Sequence, residues 1–284
     1  MAVDYGVLMA RRQENILHTY DERDSLLYAV SIGMGRDPLD RQELEYVFEK
    51  HGPRTVPAQA ITLTDHDLIW NIGLDVGSFL HGEQLMTFHR PLPPAGELSA
   101  DAWVSEVYDK GAEKGCIIEM KGSVRTRTDG EPLFDWTSRI FARRDGGCGG
   151  STARVPPPHP MPERAPDLIR TSETRPDQAL LYRLNGDRNL QHVDPDLAIS
   201  VGFPRPILHG ACTSAIACRE VLAGACDYDH TRVRAFDVRY TTVVYPGETI
   251  ETAIWIDGDT VSFRCRVVER DVVVIDHGRC IISD

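Results

Sequence analysis

No apolar run in this chain of 284 residues approaches the roughly 18 needed to cross a bilayer, so no membrane association is expected. The opening MAVDYGVLMARRQENI lacks a basic start, an apolar core and a small-residue cleavage site, which speaks against a secretory signal. Arg11 and Arg12 are flanked by Asp4 and Glu14, whereas a transit peptide would be poor in acid. Paired C-x-x-C spacing is missing from the seven cysteines. Cys212, Cys218 and Cys226 fall in or just after one apolar stretch, and Cys265 and Cys280 in strand-like runs. They read as small buried hydrophobes of a reducing compartment, the cytoplasm, and no metal site is expected. Positive charge is in deficit: 31 basic residues face 43 acidic ones, a net charge of −12. Such a chain is a poor binder of nucleic acid through bulk charge, and an anionic ligand would need local cations.

What is present suits two domains of ordinary size. In residues 1–60, DRQELEYVFEKHG spaces Leu44, Val47 and Phe48 as a helix does, and Gly52-Pro53 ends it. An apolar segment runs from Ala60 to Gly73 towards SFLHGEQ. From Glu97 the pattern alternates. ELSADAWVSEVYD, CIIEMKGSVRTRT and EPLFDWTSRIFARR are strand-length runs joined by glycine-containing turns, an antiparallel meander. Residues 145–166, DGGCGGSTARVPPPHPMPERAP, are dense in Gly and Pro and read as a linker. They divide an N-terminal domain, 1–144, from a C-terminal one, 167–284. The second half returns to the same plan, with a meander from VRAFDVRYTTVVYP to VVVIDHGRCIIS.

Two markers suggest a duplication. SFLHGEQ matches PILHGAC, and PLPPAGEL matches VVYPGETI. Fourteen residues separate Gly82 from Gly96, but 37 separate Gly210 from Gly247; the additional 23 contain ACTSAIACREVLAG, apolar almost all round and so a buried helix. A long antiparallel sheet around one buried helix is the hot-dog arrangement. The expected fold is therefore α+β, a double hot-dog of two fused antiparallel sheets, the first copy having lost or reduced its helix and gained a cavity for a ligand tail.

The chemistry concentrates in Tyr182–Gly210. Gly186-Asp187-Arg188-Asn189 forms a turn after the strand-like LLYRL. Asp194, Pro195 and Gly202 read as the cap, first position and end of a short helix. Asp187 and Asn189 can equally be turn residues, and a lone His192 is more often structural than catalytic. Together, however, a carboxylate and an imidazole five residues apart can hold one water between them. Gly210, opening the buried helix, offers an unpaired N–H at a positive dipole end to an enolate oxygen.

The run GDRNLQHVDPDLAISVGFPRPILHG resembles the signature of the hydratase 2 family, the MaoC-like (R)-specific 2-enoyl-CoA hydratases, and FARRDGGCGG resembles the end of that family's first domain. The resemblance covers nearly the whole chain. It implies reversible syn hydration of a trans-2-enoyl-CoA, with Asp187 and His192 catalytic, Gly210 the oxyanion-hole donor and Asn189 supporting the loop. It implies substrate contacts at His81, Gly82, Lys110 and Tyr240. The phosphates of coenzyme A need local cations in so acidic a chain; Lys110 leads, and Arg183, Arg188 and Arg205 are weaker candidates. A homodimer is implied, with no cofactor beyond the coenzyme A of the substrate. Two departures stand out: Leu190-Gln191 replaces the Pro-Leu usual before the family's His, and Cys148 replaces a Phe. A hot-dog thioesterase would share fold and ligand but need a carboxylate aimed at the thioester carbonyl. A non-catalytic acyl-CoA-binding subunit predicts a missing acid or His.

Overall fold

Alternating burial shows how the strands form. In Thr249–Asp257 the inward Ile250, Thr252 and Ile254 are buried, and their neighbours Glu251 and Ala253 are not. Gly258, at φ +64°, then supplies the left-handed turn into the next strand. The computed structural model describes residues 4–64, 67–69, 74 and 79–283. Its strands are β1 (Arg12–Tyr20), β2 (Phe79–Phe88), β3 (Gly96–Asp109), β4 (Cys116–Thr126), β5 (Pro132–Ala142), β6 (Leu168–Glu173), β7 (Val233–Tyr240), β8 (Thr249–Asp257), β9 (Thr260–Val267) and β10 (Val272–Ile282). The helices are α1 (Tyr5–Met9), α2 (Glu22–Ser31), α3 (Arg41–Val47), α4 (Gln178–Tyr182), α5 (Pro195–Ser200) and α6 (Gly210–Ala225). Among the described residues no helix is long and apolar enough to cross a membrane.

The strands form one sheet in the order β1-β3-β4-β5-β2-β7-β10-β9-β8-β6. Read inward from either edge, the two halves have the same connectivity: a double hot-dog fold. The halves are not two separate sheets. β2 and β7 pair antiparallel at the centre, Gln84 opposite Val238 and Met86 opposite Phe236, so the ladder continues through the seam.

The repeat is real, but one of its sequence markers is misleading. PLPPAGEL and VVYPGETI do lead into the equivalent strands β3 and β8. Leu-His-Gly falls on unlike elements: His81-Gly82 lies inside β2, whereas His209-Gly210 begins α6. The equivalent pair is Leu26-Leu27-Tyr28 in α2 and Leu180-Leu181-Tyr182 in α4, each following the first strand of its half. Tyr28 and Tyr182 are both fully buried and meet edge to face, 5.9 Å between centroids. The segment LLYRL is thus helical at its start and not a strand; three apolar residues in a row cannot tell the two apart.

α6 is the central helix of the second half, and Cys212, Ala215, Ile216, Val221 and Leu222 are among its buried residues. Residues 21–78 and 174–232 connect equivalent strands and are nearly equal in length, so no residues were lost from the first copy. The described part of 21–78 is spent instead on α2, α3 and short 3₁₀ turns; part of the apolar stretch 60–73 lies outside the described residues. One turn, Pro57–Thr62, packs on α6, so the first half covers the helix of the second. α3 buries Glu43 and Tyr46, and Phe48 is half exposed. Glu43 can be buried because Arg219 and the Gly35 N–H take up its oxygens.

Residues 145–166 lie against both halves. Asp109 accepts from the N–H groups of Gly111, Gly147 and Gly149, pinning the glycine-rich start. Any Cβ at Gly146 would sit 2.1 Å from the Gly111 oxygen, so glycine is required there. Further on, the His159 ring meets the Ser262 hydroxyl in β9, and its carbonyl accepts from His277 in β10.

Candidate active site

The loop after α4 is built from successive capped turns. Asp187 accepts from the Asn189 N–H at 3.1 Å, and Asn189 accepts from the Gln191 N–H at 3.2 Å and caps a 3₁₀ turn ending at His192. Asp194 caps α5 through the N–H groups of Asp196 and Leu197, with Pro195 at the first position, as the sequence predicts. Asn189 therefore holds the loop that carries Asp187 and His192 at its two ends.

His192 is 6% exposed. Its Nδ1 lies 2.9 Å from the Ile207 carbonyl, which can only accept, so Nδ1 carries the proton and Nε2 keeps a lone pair. Burial lowers its pKa, and the nearby Asp187 charge offsets this only partly. His209, which directly precedes Gly210, was not singled out by the sequence. It is fully buried and stacks on His192, 3.7 Å between centroids and 28° between planes. Its Nε2 donates to the Asp187 backbone oxygen at 3.2 Å, leaving Nδ1 buried without a partner. Burial, reinforced by the adjacent His192, drives its pKa down. Two stacked imidazoles are thus kept neutral beside one exposed carboxylate. One ligand atom from each of Asp187, His192 and His209 lies within 4.8 Å of the others.

Gly210 and Ala211 bring the first turn of α6 to the same place. The N–H groups of that turn have no intrahelical acceptor, and His209 at the N-cap supplies no side-chain cap. A Cβ at Gly210 would sit 3.4 Å from the Tyr240 ring, an ordinary contact, so Tyr240 alone does not demand glycine here.

Opposite the loop lies the sheet, across the seam. His81 from β2 and Tyr240 from β7 lie 4.9 Å apart, ring to ring. Tyr240 donates to the Ser214 hydroxyl at 3.0 Å. A bulge at Gly82, where a Cβ would meet the Arg139 oxygen at 3.0 Å, breaks the alternation. His81 Nε2 lies 3.1 Å from both Gln84 Oε1 and Ser138 Oγ, and burial pushes its pKa down to about 4.

These groups surround a cavity of about 600 Å³, with Asp187, Asn189, His192, His81, Gly82, Gly210 and Tyr240 in its wall. Phe79, Phe141, Val244 and Val274 make the rest largely apolar. The cations are placed outside that wall. Lys110 is exposed, with its Nζ 5.0 Å from the centroid of the Phe141 ring. Arg205 lies over Tyr245 at 5.0 Å, and Arg188 is exposed on the loop. Arg183 points inward, its Nε buried without a partner.

Comparison with known proteins fits this arrangement. Residues 158–277 match the MaoC like domain, and residues 18–144 match the MFE-2 hydratase 2 N-terminal domain. The peroxisomal enoyl-CoA hydratase 2 of Arabidopsis thaliana is 34% identical over 95% of this chain and 92% of its own. The enoyl-CoA hydratase ChsH3 of Mycobacterium tuberculosis is 35% identical over 98% of both chains. The crystal structure of a MaoC-like dehydratase from Phytophthora capsici superposes with a TM-score of 0.85 at 29% identity, covering 99% of this chain and 98% of that one. The chain belongs to the hydratase 2 family of MaoC-like, double hot-dog proteins.

Proposed function

We propose that this protein is an (R)-specific hydro-lyase that adds water reversibly to a trans-2-enoyl-CoA, giving a (3R)-3-hydroxyacyl-CoA. The observation that carries the reading is the meeting of three groups at one cavity: a neutral His192 whose Nε2 keeps its lone pair, with the Gln191 amide nitrogen 3.4 Å away, the Asp187 carboxylate, and the unpaired N–H groups of α6. The family relatives named for the same activity support it.

In the proposed reaction one water is held between Asp187 and His192. Its oxygen bonds to C3 while His192 Nε2 takes a proton from it. The thioester carbonyl becomes an enolate oxygen held by the Gly210 N–H and the dipole of α6. The imidazolium, steadied by Asp187, then returns the proton to C2. Hydroxyl and proton both come from the loop side of the substrate, which makes the addition syn. Only a proton and a hydroxyl move, and the scheme calls on no cofactor. His81, Gly82 and Tyr240 form the substrate's other wall, and Lys110, Arg188 and Arg205 are the cations we assign to the coenzyme A phosphates outside it.

We further propose residues 1–144 as substrate wall, 145–166 as linker and 167–284 as catalytic domain, in a homodimer. The seven unpaired, buried cysteines suit a reducing compartment such as the cytoplasm. The deciding assay follows loss of enoyl absorbance, release of free thiol and chirality of the product. Hydration to the 3R alcohol is expected, and thiol release without hydration refutes the reading in favour of a thioesterase.

A further inference from the structure

The concave face of the first half carries a second cavity, of about 380 Å³, which shares Asp187, His81 and Ala211 with the first. An acyl chain that passes the catalytic groups has this space ahead of it. Its wall is not that of a simple hydrocarbon slot. Ile61, Met120 and Ile140 alternate with Thr64, Ser138 and Asn185.

Gln84 is the decisive side chain. It lies on this wall and is 3% exposed. Its Oε1 is engaged with His81 Nε2 at 3.1 Å. With Oε1 set against the imidazole, the other end of the amide, Nε2, is the one left on the cavity side, and in this arrangement His81 Nε2–H is the donor. That nitrogen has no acceptor among the described residues and is not sealed from solvent. Asn185 complements it: its Nδ2 donates to Ser31 Oγ and to the Tyr182 carbonyl, both at 2.8 Å, which leaves its oxygen as acceptor on the same wall. A plain alkyl chain would strip water from the Gln84 N–H and return nothing. A site built around a buried polar group rejects ligands that cannot pair with it.

We propose that this second cavity receives an acyl group carrying an oxygen acceptor, a keto or hydroxyl group several carbons beyond C3, and that Gln84 Nε2–H recognises it. The inference rests on the hydratase reading and names the substrate class for it.

The probes are trans-2-decenoyl-CoA and its isomers bearing a keto group at C6, C7 or C8. In the wild type one keto isomer exceeds the plain chain at least about tenfold in kcat/KM, equivalent to about 1.4 kcal/mol. In Gln84→Leu the ratio of the two, each measured on that same variant, falls to near one. If every keto isomer is no better than the plain chain, or the preference survives Gln84→Leu, the inference is overturned. Calorimetric binding of the saturated, unreactive acyl-CoA pairs to the wild type gives a readout independent of turnover. The same tenfold preference is expected there, and equal binding also overturns it. A binding preference in a protein that hydrates none of the probes would leave this inference standing and remove the hydratase reading instead.

Discussion

The two halves of the sheet follow one connectivity, yet their concave faces do opposite things. The second half is filled by α6, whose small and apolar residues pack against β6 to β9. The first half has no such helix among its described residues and holds a cavity under β4 and β5, lined by Met120, Trp136 and Ser138. The same strand order can therefore serve as a core or as a container. What decides is the use made of the connection after the first strand, since its length is nearly the same in both.

The largest effect should come from the chemistry that only the second half carries. Asp187→Asn removes the carboxylate while keeping the turn, and kcat should fall by about 10²–10⁴ with the circular dichroism unchanged. Near-normal turnover would place the chemistry elsewhere. Next comes packing. Leu222→Ala, in the filled half, should cost about 2–5 kcal/mol in chemical unfolding. Met120→Ala, beside an existing cavity in the first half, should cost clearly less, and equal losses would erase the distinction between core and container.

Protonation sharpens the comparison further. In the proposed reaction His192 is a neutral base; because its pKa is depressed, kcat/KM should stay level as pH falls past 6.5 and decline only at still lower pH. His81, in the first half, has a folded pKa of about 4 against an unfolded value near 6.5. The unfolded chain binds its proton first, so stability is full above pH 6.5 and is lost progressively towards pH 4. Melting followed across this range should show that loss, and His81→Asn should reduce it. The smallest effect belongs to the rim: Lys110→Ala should raise KM a few-fold, less at high salt, with kcat unchanged.

Much of this was legible in the sequence. The meanders, the cap at Asp194 and the apolar helix after Gly210 are local patterns, and local patterns survive translation into structure. Asp187 and His192 are close because five residues of tight turn bring them close. The Leu-His-Gly correspondence failed because identity of three residues carries no information about their backbone; only the sheet order shows that one copy is strand and the other a helix start. His209 was hidden for a different reason. It stacks on His192 only because Ile207 and Asp187 hold the two rings through backbone oxygens. Gln84 was invisible too, since its proposed role depends on the bulged strand that sets its amide against His81.

The seam between β2 and β7 bears on how such a protein can be divided. Glu83 of β2 pairs with Arg139 of β5 on its own side and, across the seam at 3.7 Å, with Arg239 of β7, and the floor of the site draws one ring from each side. A cut in the proline-rich strap would leave two pieces, each ending in a strand whose natural mate is on the other. Each fragment is then a template for its counterpart, and activity becomes a report on their reunion: the fold is already laid out as a two-part complementation system.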